Sequence, residues 1–312
     1  SIETAKSCNL FDEIIVSTQV LAETCKNTLG ENNKPIHVIP NLPLNELEKL
    51  SSLSNNDEAL KKSNAKINII LTSGTLSHKQ VLKDFIYPAL IEVLNRYEDV
   101  ELTTVGHIQL PSKFLKFKSR IHSAPFSSYS TYLSLLQKAS IALVPLEVHP
   151  TTDAKSAIKW MEASLCGVAS ICSPVRAYTD VTKDQKDVLL ASNLDEWRSS
   201  LKLLIEQPEK RQSLARSAYK SALEQFNRPQ GEQHWTKIIN SGKARNKQIS
   251  KKVLVINVFF APQSFGGATR VAQDYVQRML ANKDINYAKN SYLLFFRFVF
   301  SGIPWRPSCW KC

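Results

Sequence analysis

The stretch from Ile141 to Asp180, IALVPLEVHPTTDAKSAIKWMEASLCGVASICSPVRAYTD, decides the fold of this chain. It reads as a buried strand (IALVPL), a polar loop, an amphipathic helix, a glycine stop, a second buried strand (VASIC) and another loop. A strand, a crossover helix and a strand in that order form a right-handed parallel unit. In such units ligands sit above the carboxyl ends of the strands, at the loops that lead into helices. Here that loop ends in Thr151, Thr152 and Asp153, residue types that cap helices. The helix predicted to follow carries Lys155 and Lys159 four apart on one face, with Glu162 three residues further on. A helix N-terminus favours anions, and two lysines beside it add positive charge suited to a phosphate. The competing reading of the same residues is a solvated face on which Glu162 is the ion-pair partner of the lysines.

Outward from this unit the alternation continues. INIIL, from Ile67, reads as a buried strand, and Thr72-Ser73-Gly74-Thr75 as a small-residue turn. His78 to Tyr97 has helical periodicity, with Phe85, Leu90 and Leu94 among its apolar positions. The strand VELTTVG follows, then a basic loop (Lys113, Lys116, Lys118, Arg120), a short strand from Ile121 to Pro125, and a helix around Tyr132 to Ala139. After the central unit come a short strand (VLLAS) and two amphipathic helices, LDEWRSSLKLLIEQ and EKRQSLARSAYKSALEQF, separated by Pro208. Strands alternating with helices over this length give an α/β fold with a doubly wound parallel sheet. Near the start, FDEIIVSTQVLAETC reads as a strand and a helix, whereas residues 51–66 are polar and loop-like.

At 312 residues, with 43% apolar composition, the chain can hold two ordinary globular domains. Its net charge of +12 is unevenly placed. Residues 226–312 hold 14 Lys+Arg and 3 Asp+Glu, a balance of +11, which leaves 26 and 25 for residues 1–225, a balance of +1. A nearly neutral body with scattered tail charges is not the footprint of a nucleic-acid binder, and no nucleic-acid partner is expected. A basic tail does suit peripheral association with an anionic membrane. The six cysteines show no disulfide framework, which points to a reducing, cytoplasmic compartment. Cys309-Trp-Lys-Cys312 has no second pair to complete a zinc site and is read as incidental.

Several motifs together resemble family-4 glycosyltransferases, retaining enzymes of the two-domain type B fold with a Rossmann-like donor domain. The family pattern is a strand ending near a proline, a loop, a helix reading Glu, seven residues, Glu-Ala, then Gly and a buried strand. Pro145, Glu162-Ala163, Gly167 and Val168 to Cys172 match it. The resemblance implies that Glu162 holds the donor's ribose and that Lys155 and Lys159 hold its diphosphate. Eight positions before Glu162 stands Ala154, so the first glutamate of the pair is missing; Asp153 and Glu147 are the substitutes for contacting the donor sugar. SGTLSHK resembles the family's first donor-domain loop, which makes Gly74, Thr75 and Lys79 diphosphate ligands, with Thr75 where the family usually has arginine. His78 is a further contributor at that loop.

The same resemblance divides the chain. Residues 1–40, ending in the strand before Ile39-Pro40-Asn41, look like the end of an acceptor domain whose body is absent; residues 41–240 are the donor domain. Residues 241–252 form a basic linker, and residues 253–280 resemble the opening strand, glycine-rich loop and helix of a second transferase unit, with Gly266 and Gly267 on its acceptor side. Residues 281–312 show no period and are unassigned. The implied partners are a nucleotide-sugar donor, a saccharide acceptor and the missing acceptor domain. No cofactor and no metal is expected beyond the nucleotide-diphosphate sugar itself. The isolated chain is expected to bind donor without meaningful turnover. Two other readings share the architecture: a sugar-nucleotide epimerase, and a nucleotide-binding or interaction module that has lost catalysis, which the missing glutamate favours.

Overall fold

A computed structural model describes residues 12–29, 34–44, 47–49, 66–73, 79–125 and 128–240, together with the strands 253–257, 294–297 and 308–309. The chain divides into two compact units. One holds Ser1–Leu42, Asp153–Ser156 and Phe226–Cys312, and the other Pro43–Thr152 and Ala157–Gln225.

In the first unit, β1 (Glu13–Val16) buries Ile14, Ile15 and Val16 in succession. Consecutive buried residues are what a parallel strand covered on both faces requires. The Thr18 hydroxyl accepts the Leu21 N–H at 3.2 Å and so starts α1 (Gln19–Leu29). Leu21, Ala22, Cys25 and Leu29 recur at helical spacing and pack with Ile14, Val16 and Ala154 in one apolar cluster. Strand β2 (Ile36–Val38) runs parallel to β1, with Ile14 beside Ile36.

The second unit is built on β3 (Ile67–Ser73). The helix after it runs as α2 (Lys79–Val81), a wide π turn (Leu82–Ile86) and α3 (Tyr87–Arg96). Pro88 has no N–H to return to the preceding turn, a recognised cause of such local widening. Next come β4 (Val100–Gly106), a 3₁₀ stretch (Ser112–Arg120), β5 (Ile121–Ala124) and α4 (Tyr129–Gln137). The expected basic loop is therefore helical. Phe114 and Phe117, three apart, bury the same side of the 3₁₀ turn. Arg120, read as part of the basic run, donates to the carbonyl oxygens of Leu94, Tyr97 and Val100 and closes the end of α3.

The central unit follows as β6 (Ile141–Val144), α5 (Pro150–Asp153), α6 (Ile158–Leu165) and β7 (Ala169–Cys172). A short helix, α7 (Arg176–Thr179), leads to β8 (Leu189–Leu190), and α8 (Leu194–Glu206) and α9 (Pro208–Gln225) complete the unit. Asn193 caps α8 by accepting the Glu196 N–H at 3.0 Å, and Pro208 opens α9 as its first residue. All six strands are parallel, in the order β5-β4-β3-β6-β7-β8. Ile69, Leu71, Leu102, Ile141, Leu143 and Ile171 share a core with Leu90, Leu94, Trp197 and Leu201 of α3 and α8. Ile70, Ala142 and Ser170, on the alternate positions, are buried as well, so both faces are covered. At the far ends of β6 and β7 the buried Ser173 hydroxyl accepts the Leu146 N–H at 2.9 Å. By contrast, the Ser164 and Ser170 hydroxyls are buried without a hydrogen-bond partner among the described residues.

Helix α10 (Arg228–Asn240) groups with the first compact unit. The reason is packing. Gly231 leaves room for the Leu42 side chain, Trp235 and Ile238 are buried, and the rings of His37 and His234 meet edge-on at 6.1 Å. Strand β9 (Val253–Asn257) pairs in parallel with β1, β10 (Leu294–Arg297) pairs in parallel with β9, and β11 (Ser308–Cys309) runs antiparallel to β10. The opening strand expected of a second unit thus lies in the sheet of the first, and the unassigned tail contributes two of its strands.

Candidate functional site

Counted from β3, the second unit's sheet has the strand order 3-2-1-4-5-6. The strand order reverses between β3 and β6, and the crevice above the carboxyl ends at that point is where such folds bind ligands. Two of the sequence-predicted residues follow β6 and bond to β3 and α2. Lys159, the second residue of α6, donates from Nζ to the Thr72 carbonyl oxygen at 2.7 Å, near the end of β3. Glu147, in the loop after β6, accepts the Gln80 N–H at 3.3 Å, beside the exposed Lys79 that opens α2. Gly74, Thr75 and His78 lie outside the described residues, as do Gly266 and Gly267.

Glu162 sits one turn after Lys159 and is 4% exposed. That burial is incompatible with a solvated helix face. Its Oε2 accepts the Tyr132 hydroxyl at 2.9 Å, and Tyr129, one turn earlier on α4, is a second phenol hydrogen-bonded to the same carboxylate. The two tyrosine rings lie 6.0 Å apart. The Thr72 side chain hydrogen-bonds Tyr132 in turn. Burial, and then the negative charge of Glu162, raise the pKa of both phenols well above the ordinary tyrosine value. Both therefore stay protonated and act as donors to the carboxylate. Burial likewise raises the Cys172 thiol at the end of β7, with Lys159 opposing the shift. Thr72, at one strand end, thus touches both the lysine and the phenol that holds the glutamate.

The helix expected to carry Lys155 and Lys159 on one face is broken. α5 ends at Asp153, α6 begins at Ile158, and Lys155 lies in the bend between them. Asp153 to Ser156 pack with the first unit. Ala154 is fully buried in the β1–α1 cluster, its carbonyl accepts the Thr18 hydroxyl at 3.2 Å, and the Asn41 amide donates to the Ser156 hydroxyl at 2.8 Å. These contacts hold the backbone out of the helix. Nor do Thr151, Thr152 and Asp153 cap α6, whose N-cap is Ala157 with no side-chain bond. Thr152 instead ties its own loop, accepting the His149 N–H and donating to the Glu147 carbonyl.

At its other end α6 is sharply fixed. The Gly167 N–H bonds to the Ser164 carbonyl and the Val168 N–H to the Ala163 carbonyl, with Gly167 at φ 67°. That pair of bonds is a Schellman cap, and the left-handed residue it needs is the glycine read from the sequence as a stop. Sequence reasoning missed Tyr129, Tyr132 and Thr72. Tyrosines three apart at the start of α4 were a signal, but nothing local ties them to a glutamate 30 residues on.

Among the described residues no cluster of His, Cys, Asp or Glu is placed to hold a metal ion. No described helix is long and apolar enough to cross a membrane.

The family described as glycosyl transferase-like matches residues 88–230. No curated protein matches the chain in sequence. Solved structures do match the fold. S. aureus TarM, crystallised as a mutant with fondaparinux, alpha-GlcNAc-glycerol and UDP, is 13% identical with a TM-score of 0.57, over 75% of this chain and 45% of that one. Anabaena HepE in complex with UDP and glucose is 14% identical with a TM-score of 0.53, over 74% and 63%. WaaG, a glycosyltransferase involved in lipopolysaccharide biosynthesis, is 17% identical with a TM-score of 0.52, over 73% and 62%. This chain therefore shares the α/β, Rossmann-like fold of these structures, and it spans 45% to 63% of their length.

Proposed function

We propose that the second unit binds the nucleotide-sugar donor of a glycosyltransferase, and that the reaction moves a hexosyl group to a saccharide acceptor with retention of configuration. One observation carries this reading: Lys159 bonds to Thr72 at the end of β3, at the reversal point of the sheet, and the buried Glu162, one turn on, is linked to the same Thr72 through Tyr132. In the reaction the bond from the sugar's anomeric carbon to the diphosphate breaks and negative charge builds on the leaving group. Lys159 and Lys79 supply positive charge to it. That charge stabilises the leaving group without a metal. Glu162 accepts hydrogen bonds from the ribose hydroxyls, and Glu147 contacts the transferred sugar. The buried Cys25, Cys166 and Cys172 fit a reducing compartment, the cytoplasm, with the basic tail peripheral to a membrane.

A second reading has a specific observation behind it. Ala154 stands where the family's first glutamate belongs, and it is wholly buried in an apolar cluster. No carboxylate reaches the donor sugar from that position, as a nucleotide-binding module without catalysis would have it.

The test is calorimetric titration of the full chain with UDP, GDP and ADP, repeated on Lys159→Ala and Glu162→Gln. One nucleotide binds, and each substitution weakens it about tenfold, the value of one hydrogen bond to a charged group. Absence of binding to all three by folded protein refutes the donor-site reading. Binding without sugar transfer to any saccharide selects the second.

A further inference from the structure

We propose that Tyr132, with Tyr129 beside it, is a positioning residue that turns the Glu162 carboxylate toward the donor's ribose. The proposal rests on the donor-site reading above and assigns a part that the glutamate pattern itself does not contain.

The geometry is specific. An ionised carboxylate has about four lone-pair directions and no donor of its own. Glu162 is 4% exposed, so these directions must be filled from within the protein or by a ligand. The Tyr132 hydroxyl fills one, at 2.9 Å from Oε2, and the Tyr129 hydroxyl another. Both come from one helix, one turn apart, and their rings brace each other at 6.0 Å. The Tyr132 hydroxyl is itself fixed by Thr72, at the end of β3 where Lys159 is also held. The carboxylate therefore cannot rotate freely about its last bond. Held in this way the carboxylate keeps one orientation, which suits recognition of a rigid cis-diol that presents two donors at once. Phenols also suit the task because, kept protonated, they give hydrogen bonds without cancelling the charge that the diol meets. A lysine or arginine there would neutralise it.

A purely structural role makes a different prediction. If Glu162 only satisfies two buried phenols, removing one phenol alters stability and leaves ligand preference alone. The experiment titrates the full chain with UDP and with 2′,3′-dideoxy-UDP, with the ADP and GDP pairs in parallel, for wild type, Tyr132→Phe, Tyr129→Phe and Glu162→Gln. Thermal melts confirm folding of each variant. Wild type is expected to prefer the ribose form. Tyr132→Phe is expected to lose about tenfold for the ribose form and less than about twofold for the dideoxy form. Equal loss for both forms, or none for either, overturns the positioning role while a preserved wild-type preference leaves the Glu162 reading standing. Wild type binding both forms alike, or Glu162→Gln retaining the full preference, overturns the ribose reading and this proposal with it. Should Tyr132→Phe fail to fold, Tyr129→Phe carries the same comparison: selective loss of the ribose form supports the positioning role, and equal loss or none overturns it.

Discussion

Ser170 lies within β7 and Ser173 just after it, and replacement by alanine is expected to cost stability at Ser173 but not at Ser170. Ser173→Ala removes the acceptor of the Leu146 N–H, and both residues are buried, so that amide is left unpaired out of water. The cost is about 1–3 kcal/mol. For a unit of this size each kcal/mol moves the melting midpoint by about 2–4 °C, so a fall of roughly 6 °C is the central expectation. Ser170→Ala instead removes a hydroxyl that is fully buried and has no hydrogen-bond partner among the described residues. Burial of an unbonded hydroxyl itself costs about 1–3 kcal/mol, which offsets the few van der Waals contacts the oxygen makes. The variant should equal wild type or exceed it by up to about 1 kcal/mol. Urea unfolding followed through the buried Trp160 and Trp197 measures both, and hydrogen exchange at the Leu146 amide gives the local readout. Exchange there should quicken in Ser173→Ala alone. Equal destabilisation by the two substitutions, or greater damage from Ser170→Ala, refutes the reasoning.

Gly167→Ala must place a side chain at φ 67° in the Schellman cap of α6, and a loss of about 1 kcal/mol is expected in urea unfolding, with Gly167→Asn less affected. Tyr97 donates to Glu206 at 2.5 Å, and burial, then that carboxylate, push its pKa from 10.0 to about 12. The folded state holds this proton more tightly than the unfolded chain, so the contribution is complete below pH 10 and is lost as pH rises through 12. Chemical denaturation at pH 9 and pH 11.5 should show a smaller drop for Tyr97→Phe than for wild type; an unchanged drop shows that Tyr97 is not its source. Phe117→Ala, which empties the buried side of the 3₁₀ turn, should cost about 3–5 kcal/mol by thermal melt, and a loss below 1 kcal/mol would show that the turn repacks.

The sheet was legible because parallel strands covered on both faces are nearly continuous apolar runs, as IALV is, and INIIL and VELTTVG depart from this only at Asn68, Glu101, Thr103, Thr104 and Gly106. Gly167 was legible for a local reason, since only a left-handed residue ends α6 there. The break between α5 and α6 was not. Ala-Lys-Ser-Ala-Ile-Lys-Trp-Met contains no proline or glycine, and every local preference continues the helix. The interruption comes from Thr18, Asn41 and the apolar cluster around Ala154, all more than 100 residues away in sequence. The same holds for the site. The spacing of Lys159 and Glu162 is short-range and visible in the sequence, whereas the tyrosines that bond to Glu162 become its neighbours only when α4 and α6 fold together. The 3₁₀ turn lay between these cases: the Phe114–Phe117 spacing of three was present in the sequence, under a run of lysines that reads as a loop.

The hydrogen bond from Lys159 to the Thr72 carbonyl has a thermodynamic consequence for any anion that arrives. A free lysine loses about 2 kcal/mol of rotamer entropy when it is immobilised. Here a carbonyl at the strand end has already confined the chain of methylenes, so that loss belongs to folding and not to association. What the incoming phosphate must supply is a better acceptor than a peptide oxygen, which two or three anionic oxygens provide at short range. Association at this lysine should accordingly be driven by enthalpy, with little ordering of the side chain left to oppose it.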